Sequence, residues 1–182
     1  MPTSKLILGF VGELSSGKGT ACQYLAKKYD APSYRFSTIL RDILNRLYLD
    51  ITRDHLQRLS TALRGEFGQD VLAKVIAQDV KNDPHSIITV DGIRRLSDIT
   101  YLKDVAGFHL VYLTADQNIR YQRIIARGEN SDDKNKTFEQ FQADEQAEAE
   151  LQITSTGATA EYTVTNNGTF EELYEQLEKL TR

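Results

Sequence analysis

The sequence is poor in the residue types that mark disulfide-bonded and metal-binding proteins. Its 182 residues include one cysteine, Cys22, and no tryptophan. A single thiol cannot form an intramolecular disulfide, so a reducing, cytoplasmic location is expected. The three histidines, His55, His85 and His109, stand far apart and lack the spacing of metal ligands.

Long apolar runs and an excess of basic charge are also missing. No stretch approaches the roughly 20 apolar residues that cross a bilayer, and no basic and apolar leader pattern is seen at the start. The net charge is -4, which disfavours broad electrostatic binding to nucleic acid or to an anionic membrane. We therefore expect a small-molecule partner and a monomer or small homo-oligomer.

What the chain does contain is an alternation of short β-like runs with helical patterns. This alternation is typical of an α/β fold, in which helices pack on both faces of a parallel sheet. A chain of this length with 40% hydrophobic residues can bury one core, so one domain over 1–182 is expected. Five strands are predicted, at Leu6–Val11, Tyr34–Ser37, Ile87–Asp91, His109–Thr114 and Tyr162–Thr165.

A wholly helical stretch, 38–81, separates the second and third predicted strands. Ile39, Leu40, Ile43 and Leu44 recur at helical spacing, and the same period continues further along the stretch. The sequence therefore predicts a helical insertion between two neighbouring strands.

The most informative motif follows the first predicted strand and precedes a helix predicted from Ala21 to Tyr29. It reads Gly-Glu-Leu-Ser-Ser-Gly-Lys-Gly-Thr. Glycines let backbone N–H groups turn toward an anion, the helix start adds a positive dipole end, and Lys18 adds a full charge. Gly-x4-Gly-Lys between a strand and a helix predicts a phosphate-binding loop. The residues assigned to it are Gly12, Ser15, Ser16, Gly17, Lys18, Gly19 and Thr20.

One position departs from the usual loop. The serine or threonine that normally follows the lysine and holds Mg2+ is replaced by Gly19, and Thr20 comes one place later. Asp91 lies at the carboxyl end of the third predicted strand, the edge of an open sheet where ligands bind. A carboxylate there can orient water on Mg2+, although Asp-Gly is also a common turn pair.

A stripe of arginines precedes a wholly polar segment, 128–136. Arg120, Arg123 and Arg127 fall within roughly a 60° arc of one helix face, which suits a polyphosphate but also a solvated face. No apolar side chain in 128–136 offsets the entropy lost on ordering. We predict a lid that closes over a reacting phosphate, with a solvated surface loop as the alternative.

Taken in chain order, these motifs resemble those of P-loop nucleoside monophosphate kinases. The resemblance rests on the phosphate loop, Asp91-Gly92-Ile93-Arg94, the arginine stripe and Asn166-Asn167-Gly168-Thr169, and it covers nearly the whole chain. The Gly-Lys-Gly-Thr ending resembles adenylate kinases, whereas Thr137 to Leu180 is similar to dephospho-CoA kinases. The resemblance implies a five-stranded parallel P-loop NTPase fold with a helical acceptor-binding insertion (38–81) and a short lid (128–136).

The resemblance also implies a chemistry, with ATP and Mg2+ as cofactors. The γ-phosphoryl group would pass to a nucleoside or deoxynucleoside monophosphate. Lys18, Asp91, Arg123 and Arg127 would be catalytic, and Asn167 would contact the nucleotide. The metal would be held by Asp91, through water, and by Thr20. The implied acceptor residues are Ser37, Arg41, Arg64 and Arg94.

Two alternatives stay open beside this reading. The first is transfer to a sugar hydroxyl, as in dephospho-CoA kinases. The second is a nucleotide-binding regulator without catalysis, which Gly19 at the usual metal-ligand position favours. A GTPase is disfavoured because the chain has no Asn-Lys-x-Asp guanine-binding motif.

Overall fold

The computed structural model describes residues 5–127, 133–146 and 150–182, with the side chains of Arg53, Arg127 and Asp133 left out. Within these ranges five strands form one parallel sheet in the spatial order β2-β3-β1-β4-β5. The predicted five-stranded parallel sheet is thereby confirmed. The strands are β1 (Leu6–Val11), β2 (Ser33–Arg35), β3 (Ile87–Ile93), β4 (Phe108–Thr114) and β5 (Tyr162–Thr165).

Helices connect the strands and cover both faces of the sheet. Short 3-10 turns occur at Leu96–Ile99 and Asp133–Asn135. None of the helices in the described ranges is both long enough and apolar enough to cross a membrane. The helices are α1 (Lys18–Tyr29), α2 (Phe36–Arg46), α3 (Arg53–Phe67), α4 (Val71–Asn82), α5 (Gln117–Arg127), α6 (Phe138–Glu145), α7 (Ile153–Gly157) and α8 (Phe170–Leu180).

The central strand β1 divides the core into two layers because its side chains alternate between the faces of the sheet. Ile7 and Val11 pack with apolar residues of α4 and α7. Leu8 and Phe10 pack on the other face with residues of α1 and α8. All four side chains are fully buried, so β1 holds the segment that follows it on a rigid support.

The second strand is shorter than predicted and ends at Arg35 instead of Ser37. Helix α2 begins at Phe36, because the helical period that buries Leu40 and Leu44 extends back through Ile39 to this aromatic residue. Ser37 therefore lies in the first turn of α2, and Arg35 becomes the last residue of its strand. In the sheet, Arg35 lies directly opposite Asp91 of β3.

Candidate active site

A cleft of about 1020 Å³ lies at the carboxyl ends of the central strands. The loop between β1 and α1 forms its floor, while the ends of β2 and β3, helix α5 and the connection from β5 to α8 form its walls. Ligands of open parallel sheets bind at this edge. The lining side chains that carry charge or an amide are Lys18, Gln23, Arg35, Asp91, Arg94, Arg123, Glu150, Asn166 and Glu171.

The three glycines of the phosphate loop differ in whether, and why, the structure requires glycine at their positions. Gly17 has a φ of 112°, a left-handed conformation that side chains other than glycine rarely adopt. Gly12 is needed for space, because a Cβ there would lie 2.1 Å from the backbone oxygen of Leu113. A Cβ on Gly19 would meet only the side chain of Arg35, at 3.8 Å, so this position could accommodate a side chain.

Lys18 is folded back onto its own loop. Its Nζ atom donates hydrogen bonds to the backbone oxygens of Gly12 at 2.6 Å and Glu13 at 3.0 Å. Burial lowers the pKa of Lys18, opposed by the charges of Asp91 and Glu150. Since its hydrogen-bond partners are neutral carbonyls, an anion in the cleft would be a stronger partner for this ammonium group.

Three buried donor atoms at the cleft lack a hydrogen-bond partner among the described residues. They are the hydroxyl oxygens of Ser15 and Ser16 and one terminal guanidinium nitrogen of Arg123. A buried donor without a partner carries a desolvation penalty of about 1–3 kcal/mol. All three residues line the cleft, so an anion with several oxygen acceptors fits the arrangement.

Asn166, which belongs to the motif Asn166-Asn167-Gly168-Thr169 but has no role predicted from the sequence, joins the phosphate loop to the opposite wall of the cleft. Its side chain is only 5% exposed, and its Nδ2 atom donates to the backbone oxygen of Ser16 at 2.8 Å. Its own backbone oxygen accepts a hydrogen bond from Arg123 at 2.8 Å. Asn166 also packs against Gly17, where a Cβ would lie 2.2 Å from Nδ2.

Asn167, the residue predicted to contact the nucleotide, lies outside the lining of the cleft. Its Oδ1 atom accepts from the backbone nitrogen of Asp116 at 2.8 Å, and its Nδ2 atom donates to the Asp116 carboxylate at 2.9 Å. These contacts tie the end of β4 to the end of β5. The signal that distinguishes the two asparagines is strand register, since Asn166 continues β5 by donating its N–H to Thr114 at 2.8 Å.

The arginines of α5 have different surroundings although they share a helix face. Arg120 is buried, pairs with Glu145, and donates to the backbone oxygens of Leu14 at 3.3 Å and Ala115 at 2.9 Å. Arg120 therefore stabilises the phosphate loop through its hydrogen bond to Leu14. Arg123 lines the cleft, whereas the side chain of Arg127 and lid residues 128–132 lie outside the described residues.

Asp91 and Arg94 stand on the wall formed by β3, each with an oppositely charged partner. Asp91 Oδ2 lies 2.9 Å from Nε of Arg35, and Arg94 lies 3.3 Å from Glu150. Both arginine side chains are about half exposed, and all four residues line the cleft. Two guanidinium groups and two carboxylates thus face the loop from the side of β2 and β3.

The remaining predicted residues are divided between the cleft and the insertion. Thr20 lines the cleft beside Gly19. Ser37 and Arg41 are exposed on α2, and Arg64 on α3 donates to Ser60 at 3.4 Å and to the backbone oxygen of Gln69. The structure therefore does not bring these three residues to the cleft. No cluster of three or more metal-ligating side chains occurs in the part of the chain that is described.

A family profile described as an AAA domain, AAA_17, matches residues 11–142. The matched range begins at the phosphate loop, includes Asp91 and the arginine stripe, and spans more than half of the sequence. The chain belongs to this AAA domain family. The matched range contains the loop and helix α1 that build the floor of the cleft.

Individual proteins are similar over almost the entire chain. The UPF0200 protein of Hyperthermus butylicus is 29% identical over 176 residues, covering 97% of this chain and 93% of its own. A shikimate kinase from Bacteroides thetaiotaomicron superposes with a TM-score of 0.63 at 14% identity, covering 97% and 96%. A gluconokinase from Sinorhizobium meliloti superposes with a TM-score of 0.55 at 14% identity, covering 100% and 94%. The predicted P-loop kinase fold is confirmed by these likenesses.

Proposed function

We propose that the protein is an ATP-dependent phosphotransferase that moves the γ-phosphoryl group to a nucleoside or deoxynucleoside monophosphate. The observation that carries this proposal is the convergence of Lys18 with the unpartnered donors of Ser15, Ser16 and Arg123 on one cleft. In this proposal residues 1–182 act as one kinase domain. The cleft supplies the donor site, 38–81 contributes the acceptor side, and 128–136 forms the lid.

The donor phosphates would lie in the loop that follows β1. Backbone N–H groups at the start of α1 and the hydroxyls of Ser15 and Ser16 would donate to the β- and γ-phosphate oxygens. Lys18 would exchange its carbonyl partners, Gly12 and Glu13, for phosphate. Phosphate is anionic whereas the carbonyls are neutral, so Coulomb attraction adds to the hydrogen bond and the exchange favours the bound state.

A metal would enter with the nucleotide and be held mainly by phosphate oxygens and water. Asp91 and Thr20 line the cleft and offer the hard oxygen ligands that Mg2+ prefers. Mg2+ neutralises charge on the phosphates during such transfers. The protein residues that act on the metal in this proposal are Asp91, through an oriented water, and Thr20.

Arg123 would stabilise the charge of the transferring group. One of its terminal nitrogens is fixed by the backbone of Asn166, and the other is buried without a partner among the described residues. A preorganised donor of this kind costs no reorganisation when charge develops in the transition state. Arg127 would assist when 128–136 closes and excludes water, the competing acceptor.

Arg94 would bind the acceptor, because it lines the cleft across from the phosphate loop. Ser37, Arg41 and Arg64 would join it by movement of α2 and α3 toward the cleft. A phosphate acceptor needs no general base, since its oxygen is already ionised. Transfer to a hydroxyl is the second candidate, favoured by the carboxylates of Asp91 and Glu150 at the cleft, either of which could accept a proton.

A screen of acceptors tests the proposal. The protein is incubated with Mg2+, ATP and each of the nucleoside monophosphates, deoxynucleoside monophosphates and dephospho-CoA, and ADP formation is followed by a coupled assay. We expect acceptor-dependent ADP formation that Lys18→Ala removes. Turnover with dephospho-CoA alone would select the hydroxyl mechanism, and ATP binding without any acceptor-dependent turnover would select the regulator.

A further inference from the structure

Arg35 combines three features that the proposed mechanism does not use. It is the last residue of β2 and lies opposite Asp91 in the sheet, with Nε 2.9 Å from the Asp91 carboxylate. Its side chain is 47% exposed and lines the cleft, whereas the Asp91 side chain is 11% exposed. The pair is therefore open to solvent on the arginine side, where the guanidinium can reach a second anionic partner.

The same guanidinium lies beside the phosphate loop at the position without a side chain. Apart from its chain neighbours and its own helix backbone, a Cβ built on Gly19 would have one neighbour within 4 Å among the described residues, a terminal nitrogen of Arg35 at 3.8 Å. Gly19 follows Lys18 directly, where phosphate loops usually carry a hydroxyl that holds Mg2+. A permanently charged side chain therefore lies next to the position where the usual metal ligand is missing.

We propose that Arg35 binds the phosphates of the donor nucleotide directly and competes with Mg2+ for the carboxylate of Asp91. This inference rests on the proposed function. Guanidinium stays charged at every relevant pH and matches phosphate with parallel hydrogen bonds. Without metal, Arg35 adds a positive charge to those of Lys18 and Arg123 at the donor phosphates. With metal, Asp91 exchanges Arg35 for metal-bound water.

Competition makes a specific prediction about metal-free binding. Removing the guanidinium weakens nucleotide binding when no metal is present, because a charge-assisted bond to phosphate is lost. The same change frees Asp91, so the gain in affinity on adding Mg2+ becomes larger. A purely structural role for Arg35 would weaken binding equally under both conditions and leave their ratio unchanged.

The test measures ADP binding by isothermal titration calorimetry in EDTA and in saturating Mg2+. For Arg35→Gln we expect the dissociation constant in EDTA to rise about ten- to a hundredfold. In Mg2+ the rise should be smaller, so the ratio of the two constants increases. Arg35→Lys keeps the positive charge but cannot donate two parallel hydrogen bonds, so its dissociation constant in EDTA should lie between those of the wild type and Arg35→Gln. Arg58→Gln, an exposed change on α3, is the matched control and should alter neither constant.

The outcomes separate this inference from the proposed function. Wild-type affinity of Arg35→Gln in EDTA, or an equal loss in EDTA and Mg2+, would overturn the role of Arg35 while leaving the donor site intact. Failure of the wild-type protein to bind ADP under either condition would overturn the proposed function itself. If Arg35→Gln does not fold, Arg35→Lys gives the same ratio test, and an unchanged ratio then counts against the inference.

Discussion

Replacing Asn166 by alanine tests whether one buried amide holds the phosphate loop and Arg123 in register. The change removes the 2.8 Å hydrogen bond from Nδ2 to the backbone oxygen of Ser16 and the longer contact, 3.4 Å, from Arg123 to Oδ1. The bond from Arg123 to the backbone oxygen of residue 166 is retained. The loop therefore loses its tether to β5 while the position of Arg123 changes less.

The cost follows from burial. Asn166 is 5% exposed, and leaving a buried carbonyl without its donor costs about 1–3 kcal/mol. For a protein of this size about 1 kcal/mol shifts Tm by roughly 2–4 °C, so Asn166→Ala should lower Tm by about 2–12 °C. Nucleotide affinity should fall as well, because the loop must be ordered again when phosphate binds.

Asn167→Ala is the control that shows which of the two asparagines holds the phosphate loop. Asn167 is exposed and its side chain contacts Asp116 instead of the loop, so its loss should cost less in both Tm and ADP affinity. The assays are scanning calorimetry and ADP titration on both variants. If Asn167→Ala weakens ADP binding more than Asn166→Ala does, the assignment of the tether to Asn166 is wrong and the family-based prediction of Asn167 is favoured.

Further predictions concern the loop, the metal, the thiol and the lid. Lys18→Ala should lower turnover about 100-fold or more while leaving Tm within a few degrees of wild type. Wild-type turnover of this variant would show that the loop does not bind the donor phosphates. Asp91→Asn should shift the Mg2+ dependence of turnover to higher concentration, and an unchanged metal titration would remove Asp91 from the site. Burial raises the pKa of Cys22 to about 11, so the thiol should resist alkylation at pH 8 in the folded protein. Because the pKa of the thiol is 9.0 in the unfolded chain, the contribution of Cys22 to the free energy of unfolding is complete below pH 9 and is lost as the pH rises toward 11. A free energy of unfolding that stays constant between pH 9 and 11 would contradict this. Amide exchange over 128–136 should slow when a dinucleotide polyphosphate is added, and equal exchange with and without it would exclude the lid.

The floor of the cleft could be predicted because its determinants are local. An apolar strand, a glycine-rich loop and a helix follow one another within a short stretch, so backbone chemistry alone indicates a phosphate site. The structure has β1 at the predicted residues and begins α1 at Lys18, three residues before the predicted start. The helix starts earlier because Gly17, in a left-handed conformation, ends the loop directly before it.

The walls of the cleft could not be predicted in the same way because they depend on register between distant segments. Arg35 lies inside the predicted strand Tyr34–Ser37, which ends two residues later than β2 does, so the sequence does not identify it as a strand-end residue. Asn166 and Asn167 are adjacent residues of the same type, but the side chain of Asn166 contacts the phosphate loop and that of Asn167 contacts Asp116. Neither distinction is visible without knowing which strands are neighbours.

Arg120 and Arg123 lie on one face of helix α5 but have different contact partners, which their sequence spacing does not reveal. Both lie on the face of α5 that turns toward the phosphate loop, and both would be read as phosphate ligands from spacing alone. Arg120 pairs with the carboxylate of Glu145, which neutralises its charge, and donates to the backbone oxygen of Leu14, which holds the loop. Within the part of the chain that the structure describes, Arg123 donates to the backbone and side-chain oxygens of Asn166, and its other terminal nitrogen is buried without a partner. An arginine whose charge is not neutralised by a carboxylate gains most from an arriving phosphate. In the proposed mechanism, therefore, Arg120 holds the loop in place and Arg123, one helical turn further along, binds phosphate.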